Sequence, residues 1–596
     1  WHGKVSTAAP ELQELLRWCK GAGVPTAFWN KEDPVHFDRF LQTAGLFDWV
    51  FTTDASVIPH YKAALGHHRV GLLPFAAQPR IHHPVLAAPR RQAACFAGSY
   101  YVRYPQRTQA LQQMLAGLGA VLPIRIYDRY LGSTDANYCF PDEYQRWIVG
   151  TLKEDELPQA YKTHLLGINL NTVQSSGTMC ARRLFELLGS GTVVVSNPTP
   201  AVRQLFGDIV VTGHSSDEFE QAARGLLSDP AAWTARSMAG VRAVMRHHTI
   251  AHRLDKVYRL ALGRPYLQAG PQLVTVAPVA HAQDVADVVA LIQRQTRKPN
   301  HLVLLATQDG FAPSAQQVEQ ATGVPTRVVG HQGWQGRRLQ DVLGQLAPGL
   351  PPSAAVWWTP LQPRQQASAV YLEDWMHAAV YSQAVVVAYA QVSQPQPGLP
   401  TPGGRWMAQH SVCGHLTVGE WLQGDWLRNI TSADQGVLLP EAAPWQHTQA
   451  PEPQPYPELE AWADAQAPWV RPASVVPHVG APTLADWCTP WDGHASTATL
   501  DEHGWFVVSE LPDSDTATHW ARQCIRPAQV RAHGVWRLRL EMSGVLNIAL
   551  GVRCWDEDQK QLLGEAIFQP NQNHEFTLPF GTRKLQLGWR ITASGS

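Results

Sequence analysis

The sequence is poor in charge: only 16% of its 596 residues are Asp, Glu, Lys or Arg, and the formal net charge is −1. Because nucleic acids are attracted by strongly basic surfaces, this balance gives no support to a DNA- or RNA-binding protein. The eight cysteines include no Cys-x-x-Cys pair and no metal-ligand spacing. We therefore expect free thiols in a reducing compartment, with the cytoplasm as the default location, and no disulfide framework.

Long apolar runs are also missing. No stretch approaches the roughly 18 apolar residues that a membrane-spanning helix requires, so we expect no transmembrane segment. The chain opens with Trp1-His-Gly-Lys4 and lacks the basic and then apolar order of a secretory leader. This opening leads at once into a predicted helix and strand, and we expect an upstream part of the first domain to be missing. The length predicts three or four domains.

Residues 1–90 alternate between helical and strand patterns, which predicts a parallel sheet wrapped by helices. The predicted strands are Val24–Phe28, Trp49–Thr52 and Val70–Pro74. Glu32 and Asp33 lie just beyond the first strand, where ligands bind in such sheets. Because a sugar-accepting hydroxyl must lose its proton, these carboxylates are candidates for the catalytic general base. The competing interpretation is that Asp33-Pro34 caps the next helix.

A second α/β unit is predicted over residues 91–265. A buried strand is followed by the Gly98-Ser99 turn and by the helix Pro105–Leu115. This order places backbone amides and a basic residue, Arg103 or Arg107, where a phosphate can bind.

A later strand of this unit, His164–Leu170, ends in Asn169 and Asn171. Their amides are able to bind sugar or base hydroxyls, although asparagine at a strand end is also common in turns. Both interpretations stay open at this point.

The most informative stretch runs from residue 178 to residue 196. It predicts a helix that carries Arg182, Arg183 and Glu186 within one turn, then a glycine stop and the buried strand Val193–Val195. Arginine suits a diphosphate, and a carboxylate suits ribose hydroxyls. The alternative is a capped surface helix with a solvated ion pair.

Over roughly residues 20–260 the chain resembles the CgeB/YkvP-type (spore maturation protein) glycosyltransferases. Their segment R-x-F-E-x-L-x-x-G-T-x-V-V-S is matched from Arg183 to Ser196. Six further segments occur in the family's order: Phe28-Trp-Asn-Lys-Glu-Asp-Pro34, Phe47-Asp-Trp-Val-Phe-Thr-Thr-Asp54, Leu73-Pro-Phe-Ala76, Phe96-Ala-Gly-Ser-Tyr-Tyr101, Ile126-Tyr-Asp-Arg129 and Asn169-Leu-Asn171.

The resemblance implies a GT-B-type pair of Rossmann-like domains, with the acceptor half at residues 1–90 and the nucleotide-sugar half at residues 91–265. It implies a nucleoside-diphosphate sugar as donor. Because arginines in the core are available to bind the diphosphate, and because the later domain lacks an Asp-x-Asp motif, we expect no metal or other cofactor. From pattern and resemblance together, the predicted donor-binding residues are Gly98, Ser99, Arg103, Arg107, Asn169, Asn171, Arg182, Arg183 and Glu186. One departure is Thr178, where many retaining GT-B enzymes have a second glutamate, so retaining and inverting outcomes both stay open.

Residues 271–440 resemble the opening of a GT-A (family 2-like) nucleotide-sugar fold. Metal-dependent members need an Asp-x-Asp motif at the end of the strand that would here be Ala354–Trp358. The chain has Trp357-Trp-Thr-Pro-Leu-Gln362 at that point. Without a carboxylate to hold a divalent cation on a diphosphate, we expect a degenerate domain that is inactive or acts as a scaffold.

The last part of the chain changes composition twice. Residues 441–471 are dense in Pro, Ala and Gln, which predicts a linker. Residues 472–596 show short alternating segments between turn residues, which predicts a β-sandwich. If this sandwich binds glycan, its site is expected to include exposed tryptophans from the set Trp487, Trp491 and Trp555.

The pattern as a whole predicts a nucleotide-sugar-dependent glycosyltransferase acting on a glycan, protein or cell-surface acceptor, with no nucleic-acid partner. The rival hypothesis is a non-catalytic carbohydrate-binding or assembly protein whose transferase folds are relics. The missing Asp-x-Asp motif favours the rival, whereas Arg183, Glu186 and the Glu32-Asp33 pair favour an active core.

Overall fold

The structure is a computed structural model. It describes residues 5–86, 89–266, 270–344, 356–382, 384–390, 396–397, 405–429, 436–440, 491–492, 496–501, 504–509, 517–520, 535–538, 548–555, 561–569, 574–577 and 584–591. The chain divides into two compact units. One unit holds residues 1–50, 59–67 and 467–596, and the other holds residues 51–58 and 68–466.

The chain begins with alternating helices and strands, as its pattern predicts. The elements are α1 (Pro10–Gly21), β1 (Ala27–Asn30), α2 (Phe37–Ala44), β2 (Trp49–Thr52), α3 (Ile58–Leu65) and β3 (Val70–Leu72). The strands form a three-stranded sheet in the order β1-β2-β3, and the boundary between the units falls within β2. The ring of Phe28 on β1 lies 6.2 Å from that of Phe40 on α2 and 5.3 Å from that of Phe47, so apolar contacts join strand and helix.

One expected cap is absent from this region. Because α2 begins at Phe37 with His36 as its cap residue, Asp33-Pro34 does not start that helix, and the capping interpretation is wrong.

A six-stranded parallel sheet follows in the second unit. Its strands are β4 (Arg91–Gly98), β5 (Ile124–Asp128), β6 (Ile148–Gly150), β7 (His164–Asn169), β8 (Val193–Ser196) and β9 (Val211–Thr212). They lie in the order β6-β5-β4-β7-β8-β9. This is the 3-2-1-4-5-6 order of a doubly wound Rossmann sheet, which reverses direction between β4 and β7.

The predicted helix, turn and strand around residue 186 are confirmed. Eight helices accompany the sheet: α4 (Pro105–Gly119), α5 (Asp142–Gln145), α6 (Leu157–Lys162), α7 (Arg182–Gly189), α8 (Pro200–Phe206), α9 (Ser216–Ser228), α10 (Pro230–His247) and α11 (Ile250–Leu262). Val193, Val194 and Val195 on β8 are all buried, because a parallel strand covered on both faces excludes water from every side chain.

A mixed eight-stranded sheet follows in the second unit. Its strands are β10 (Gln272–Val279), β11 (His301–Ala306), β12 (Thr326–Val329), β13 (Val356–Pro360), β14 (Val386–Ala390), β15 (Gln396–Pro397), β16 (Trp406–Gln409) and β17 (Gly436–Pro440). The order is β12-β11-β10-β13-β16-β14-β17-β15. Strand β16 runs antiparallel to β13 and β14, and β15 runs antiparallel to β17, whereas the other neighbours are parallel.

Helices α12 (Ala282–Gln293), α13 (Ala315–Thr322), α14 (His331–Trp334), α15 (Leu339–Gly344), α16 (Tyr371–Tyr381), α17 (His410–Cys413) and α18 (Val418–Gln423) accompany this sheet. Its core continues into the preceding region, since Met238, Val241 and Met245 of α10 belong to the same buried apolar cluster as Leu273 on β10. The two sheets of this unit therefore share a helix.

The C-terminal residues that are described form only antiparallel strands. These are β18 (Trp491–Asp492), β19 (Ser496–Asp501), β20 (Gly504–Ser509), β21 (Ala517–Trp520), β22 (Val535–Leu538), β23 (Ile548–Trp555), β24 (Leu562–Phe568), β25 (His574–Thr577) and β26 (Lys584–Ile591). They pair as β18-β19-β20, β21-β26-β23-β24 and β22-β25. The predicted β-strand content is confirmed, and packing into a sandwich stays a prediction.

Some sequence predictions fall on other parts of the chain. The linker at residues 441–471 and Trp487 lie outside the described residues. Trp555 is half-buried, and its indole Nε1 donates a hydrogen bond of 3.2 Å to Gln586 Oε1. Across the described ranges, no helix combines the length and apolar character needed to span a bilayer.

Candidate functional site

The carboxyl ends of β4 and β7 lie side by side where the strand order of the parallel sheet reverses. In doubly wound sheets, ligands bind in the crevice just beyond this point. Strand β4 ends at Gly98 and is followed by Ser99, and β7 ends at Asn169. The fold therefore brings together two separate groups of predicted site residues.

The guanidinium group of Arg183 covers the end of β4. A side-chain Cβ atom built on Gly98 would lie only 2.7 Å from Arg183 Nη2. The guanidinium carbon lies 5.0 Å from the ring centroid of Phe96, which provides a cation–π contact. The Nε and Nη1 atoms of Arg183 are buried, and neither has a hydrogen-bond partner among the described residues.

Arg107, on the first turn of α4, lies beside this group and is only 4% exposed. Its Nη2 donates a hydrogen bond of 3.0 Å to the carbonyl oxygen of Ser99. Its Nε and Nη1 atoms are buried and make no hydrogen bond within the part of the chain that the structure describes. Burial first, and then the nearby charge of Arg183, lower the pKa of Arg107 to about 10. Arg107 therefore remains cationic at neutral pH.

The two asparagines at the end of β7 differ in whether their side-chain oxygen accepts a hydrogen bond. Asn171 Oδ1 accepts a hydrogen bond of 2.7 Å from the backbone N–H of Ala181, the cap residue of α7. Asn169 Nδ2 donates to Asn171 Oδ1 at 3.3 Å and to Ser196 Oγ at 2.9 Å. The Oδ1 atom of Asn169 and the buried Oγ of Ser99 have no partner within the described ranges. Asn171 thus positions α7, and Asn169 keeps an acceptor open.

Glu186 on α7 is 7% exposed. Its Oε1 lies 3.1 Å from Nε of Arg182, whose side chain is largely exposed. Burial raises the pKa of Glu186, and the charges of Arg182 and Arg183 and a hydrogen bond with Tyr161 oppose that effect. The i,i+4 ion pair of the alternative interpretation is present, but its carboxylate is buried.

His82 is a neighbour of Glu186 that the sequence patterns did not single out. Its Nε2 lies 3.8 Å from Glu186 Oε1. Its Nδ1 accepts the backbone N–H of Gln78 at 3.1 Å, so the proton of the neutral ring lies on Nε2 and faces the carboxylate. Burial, followed by the charges of Lys162 and Arg182, lowers the pKa of His82 to about 4. Sequence offered no signal because the two residues are far apart in the chain.

The predicted catalytic pair separates into an exposed residue and a buried one. Glu32 is exposed. Asp33 is fully buried and accepts hydrogen bonds from Asn30 Nδ2 at 2.7 Å and from the Tyr61 hydroxyl, whose oxygen lies 3.1 Å from Oδ2. The carboxylate of Asp33 is therefore held in place by neutral donors.

Thr178 takes the position where many retaining GT-B enzymes have glutamate, and here its side chain joins two backbone segments. Its Oγ1 accepts the N–H of Ala55 at 2.9 Å and donates to the carbonyl oxygen of Thr53 at 3.3 Å. It is 1% exposed, so this hydroxyl has a structural use.

Carboxylates of the mixed sheet region are engaged in ion pairs. Asp374 on α16 receives two hydrogen bonds of 2.7 Å from Arg242 of α10. Glu373 pairs with Arg246 in the same two-pronged manner. No cluster of three or more His, Cys, Asp or Glu residues suited to a metal ion occurs within the described ranges.

Comparison with known proteins finds a similarity for one part of this chain. Residues 107–259, about a quarter of the chain, match a family model described as glycosyl transferase-like. This stretch contains Arg107, Asn169, Arg183 and Glu186. Comparison with curated protein sequences finds no match.

Solved structures show a distant likeness. The Anabaena protein Alr3699/HepE, solved with UDP and glucose, is 12% identical over 41% of this chain and 75% of its own, with a TM-score of 0.30. Sucrose-phosphate synthase from Thermosynechococcus elongatus is 14% identical over 43% and 79%, with a TM-score of 0.31. A glycosyltransferase from Rickettsia africae is 10% identical over 42% and 82%, with a TM-score of 0.30.

Proposed function

We propose that this protein is a glycosyltransferase that moves a sugar from a nucleoside-diphosphate donor to an acceptor hydroxyl. The observation that carries this proposal is the neighbouring guanidinium groups of buried Arg107 and partly buried Arg183 at the carboxyl edge of a Rossmann sheet. The Nε and Nη1 atoms of both have no hydrogen-bond partner among the described residues. The family-model match over residues 107–259 supports the same reaction class.

Two neighbouring cations, one buried and one partly buried, are costly unless an anion pairs with them. A diphosphate satisfies this need because it carries at least two negative charges and several oxygens that accept paired N–H bonds from arginine. Gly98 helps because it has no side chain, and backbone and guanidinium groups can therefore approach the same phosphate. In this proposal Gly98, Ser99, Arg107 and Arg183 bind the diphosphate, and exposed Arg103 and Arg182 contribute charge at its edge.

We assign ribose binding to Glu186. The side-chain amide of the neighbouring Asn169 is assigned to a further hydroxyl of the donor. A carboxylate accepts hydrogen bonds from vicinal hydroxyls, and Glu186 already lies on the helix that carries Arg183. His82 keeps its Nε2–H toward the carboxylate, so Glu186 presents its remaining lone pairs elsewhere. The open Oδ1 of Asn169 provides a further acceptor for a donor hydroxyl.

The chemical step requires a leaving group and a base. The bond between the anomeric carbon and the diphosphate oxygen breaks, and the two arginines stabilise the negative charge that develops on the departing nucleoside diphosphate. The acceptor oxygen forms the new bond and gives up its proton to a base. Glu32 and Asp33 remain our proposal for that base. Because arginine side chains stabilise the negative charge of the leaving group, we also propose that turnover needs no divalent metal.

The finer assignments rest on the sequence patterns. We propose that the protein is a CgeB/YkvP-type enzyme with a GT-B core, and that residues 271–440 are a GT-A-like scaffold without activity. The pairing of Glu373 and Asp374 with arginines supports the scaffold assignment. We propose that the C-terminal strands form a β-sandwich that binds glycan. We also propose that the protein is cytoplasmic, and the free state of the six described cysteines is compatible with that compartment.

The first experiment is a thermal-shift panel of nucleoside diphosphates and nucleotide sugars. A ligand at about 100 times its Kd stabilises the protein by about 2.7 kcal/mol, which identifies the donor nucleotide. Calorimetric titration then compares wild type with Arg183→Gln and Arg107→Gln. Loss of charge-assisted bonds predicts an affinity about 10- to 150-fold weaker.

A matched control is Arg224→Gln. Arg224 forms an exposed i,i+4 pair with Glu220 on α9, so its loss is expected to leave affinity unchanged. Equal affinity in all three variants would overturn the assignment of the donor site. A sugar-transfer assay separates an enzyme from a relic that only binds the nucleotide. The same assay is repeated with EDTA, and activity that is lost with EDTA and restored by manganese would overturn the metal-independent mechanism.

A further inference from the structure

Four tyrosine rings form a connected surface beside the proposed donor site. Tyr101 lies 6.0 Å from Tyr104 and 5.4 Å from Tyr138 in edge contacts, and Tyr138 stacks on Tyr130 at 4.0 Å. We call Tyr101, Tyr104, Tyr130 and Tyr138 the tyrosine platform. None of these rings has a role in the donor site described above.

The platform is built from two loops that leave the carboxyl ends of neighbouring strands. The loop after β4 carries Tyr101 and Tyr104, and the loop after β5 carries Tyr130 and Tyr138. The backbone N–H groups of Val102 and Arg103 donate bonds of 3.0 Å to the carbonyl oxygen and Oδ1 of Asn137. These bonds hold the two loops together, so the rings form one surface on the ligand-binding edge of the sheet.

The surface is open to solvent. Tyr130 is 37% exposed, Val102 is 53% exposed and Leu131 is 51% exposed. Exposed apolar groups that lie together on an ordered surface often mark a ligand site.

The platform is also continuous with the proposed diphosphate site. The guanidinium carbon of Arg107 lies 4.6 Å from the ring centroid of Tyr101, and the same group is bonded to Ser99. A ligand on these rings would therefore lie next to the donor.

A cationic side chain lies on the platform. Arg103 is exposed and lies over the rings of Tyr101 and Tyr104, at 5.6 and 5.1 Å. Two carboxylates on these loops bond to the backbone, since Asp128 Oδ1 accepts the N–H of Tyr130 and Asp135 Oδ1 accepts the N–H of Asn137. The platform thus offers flat apolar faces together with positive charge.

We propose that the tyrosine platform binds an acidic pyranose of the acceptor glycan. A pyranose ring has an apolar face that packs on tyrosine, and its carboxylate pairs with Arg103. A nucleobase on the same rings is the alternative occupant, and the nucleotide probe in the test below distinguishes it. This inference rests on the proposed transferase function and adds an acceptor class to it.

The test uses the full chain and three probes measured by calorimetry: an oligogalacturonate, neutral maltohexaose, and the nucleoside diphosphate chosen by the thermal-shift panel. We expect wild type to bind oligogalacturonate in preference to maltohexaose, with affinity that falls as salt is raised. Tyr130→Ala and Arg103→Gln are each expected to weaken oligogalacturonate binding about 3- to 10-fold. Nucleotide affinity is expected to stay within about twofold in Tyr130→Ala. Arg103→Gln is judged on glycan binding alone, because Arg103 also lies at the edge of the proposed diphosphate site.

Two controls separate ring loss from misfolding. Tyr130→Phe keeps the ring and is expected to bind oligogalacturonate like wild type. Arg146→Gln removes an exposed arginine that lies 4.7 Å over Trp147, outside the platform, and is expected to have no effect. Circular dichroism and the thermal midpoint report whether each variant is folded.

Each contrary outcome has a distinct meaning. The inference is overturned if wild type does not bind oligogalacturonate, or if both Tyr130→Ala and Arg103→Gln bind it as wild type does. In either case, intact nucleotide binding leaves the transferase proposal standing. Weaker nucleotide binding in Tyr130→Ala with unchanged glycan binding would identify a base site and also overturn it. Glycan binding without any nucleotide binding would overturn the proposed function instead.

Discussion

Arg183 and Gly98 are 85 positions apart in the chain, yet the guanidinium of Arg183 occupies the space in which a side chain at position 98 would lie. This contact joins the end of β4 to the first turn of α7. It places the positive charge of Arg183 over the crevice of the sheet, and it makes the absence of a side chain at position 98 a condition for that placement.

The first prediction follows from this contact. In Gly98→Ala the new methyl group would lie 2.7 Å from Arg183 Nη2 and 2.9 Å from Phe96 Cζ. The flexible guanidinium has to move, so we expect nucleotide affinity to fall about 10-fold, as for the loss of a charge-assisted bond. Calorimetric titration measures this change. Gly225→Ala is the control, because nothing lies within 4 Å of its Cβ position on α9, and it should raise stability by about 0.4–1 kcal/mol without affecting affinity.

The second prediction concerns Glu186→Gln. The substitution keeps the shape and removes charge-assisted bonds to ribose, so donor affinity should fall about 10- to 150-fold. Unchanged affinity in calorimetry would show that Glu186 acts only within the helix.

Stability should respond to Glu186→Gln in a pH-dependent manner. Because burial raises the pKa of Glu186 in the folded state, the folded protein binds this proton more tightly than the unfolded chain does. The stability contributed by the group is thus present below the ordinary glutamate pKa of about 4.3 and is lost as pH rises through the folded pKa. As pH rises from 4 to 7, the thermal midpoint of wild type should decrease relative to that of Glu186→Gln. If the thermal midpoint of wild type instead increases relative to that of Glu186→Gln as pH rises, the predicted direction of this linkage is wrong.

The third prediction concerns the buried pair of Arg242 and Asp374. Asp374→Asn removes the buried carboxylate that accepts two hydrogen bonds from Arg242, and we expect a loss of about 3–5 kcal/mol of unfolding free energy in urea titrations. The double variant Arg242→Met with Asp374→Leu removes both charges and should recover most of that loss. If the double variant is as unstable as Asp374→Asn, the pair contributes through packing and geometry rather than through charge.

The fourth prediction concerns Glu373. Burial alone would raise the pKa of Glu373, but hydrogen bonds from Arg246 and Thr296 and nearby positive charge lower it to about 2. A lowered pKa in the folded state adds stability above the ordinary glutamate pKa, and that stability is lost as pH falls toward 2. The thermal midpoint of wild type should exceed that of Glu373→Gln at pH 7, and the gap should narrow by pH 4. A gap independent of pH would rule out this linkage.

The fifth prediction concerns Thr178→Val. This substitution keeps the shape but leaves the buried N–H of Ala55 without its acceptor, which should cost about 1–3 kcal/mol of unfolding free energy. Thr178→Ser retains the hydroxyl and is the matched control. Equal stability of the Val and Ser variants, measured by urea titration, would show that the hydroxyl is dispensable.

Local structure was largely predictable from sequence. The helix around Glu186 ends at the predicted glycine, and the following valines form the predicted buried strand, because periodicity and glycine placement act within a few residues. The Asp33-Pro34 cap was wrong for a related reason: cap residues and a helix-starting proline mark a possible helix start, but contacts with Asn30 and Tyr61 decided where Asp33 lies.

The site needed tertiary structure. Sequence named Arg107, Arg183 and Asn169 separately, and only the strand order brought them to one crevice. His82 and Glu186 lie more than 100 positions apart, and Arg242 and Asp374 lie 132 positions apart. No local pattern records such partners, since an arginine or histidine looks the same in sequence whether it faces water or a buried carboxylate.

The sequence by itself therefore determined the alternation of strands and helices, the glycine turns and the chemical types available at the strand ends, because these depend on neighbours along the chain. Tertiary structure decided which charges are buried, which are paired and which are left open. Within the described ranges it left the Nε and Nη1 groups of Arg107 and Arg183 without hydrogen-bond partners, while it paired Arg242 and Arg246 with carboxylates. The physical reason is that desolvation and ion pairing depend on distances in space, and the packing of α4, α7, α10 and α16 sets those distances.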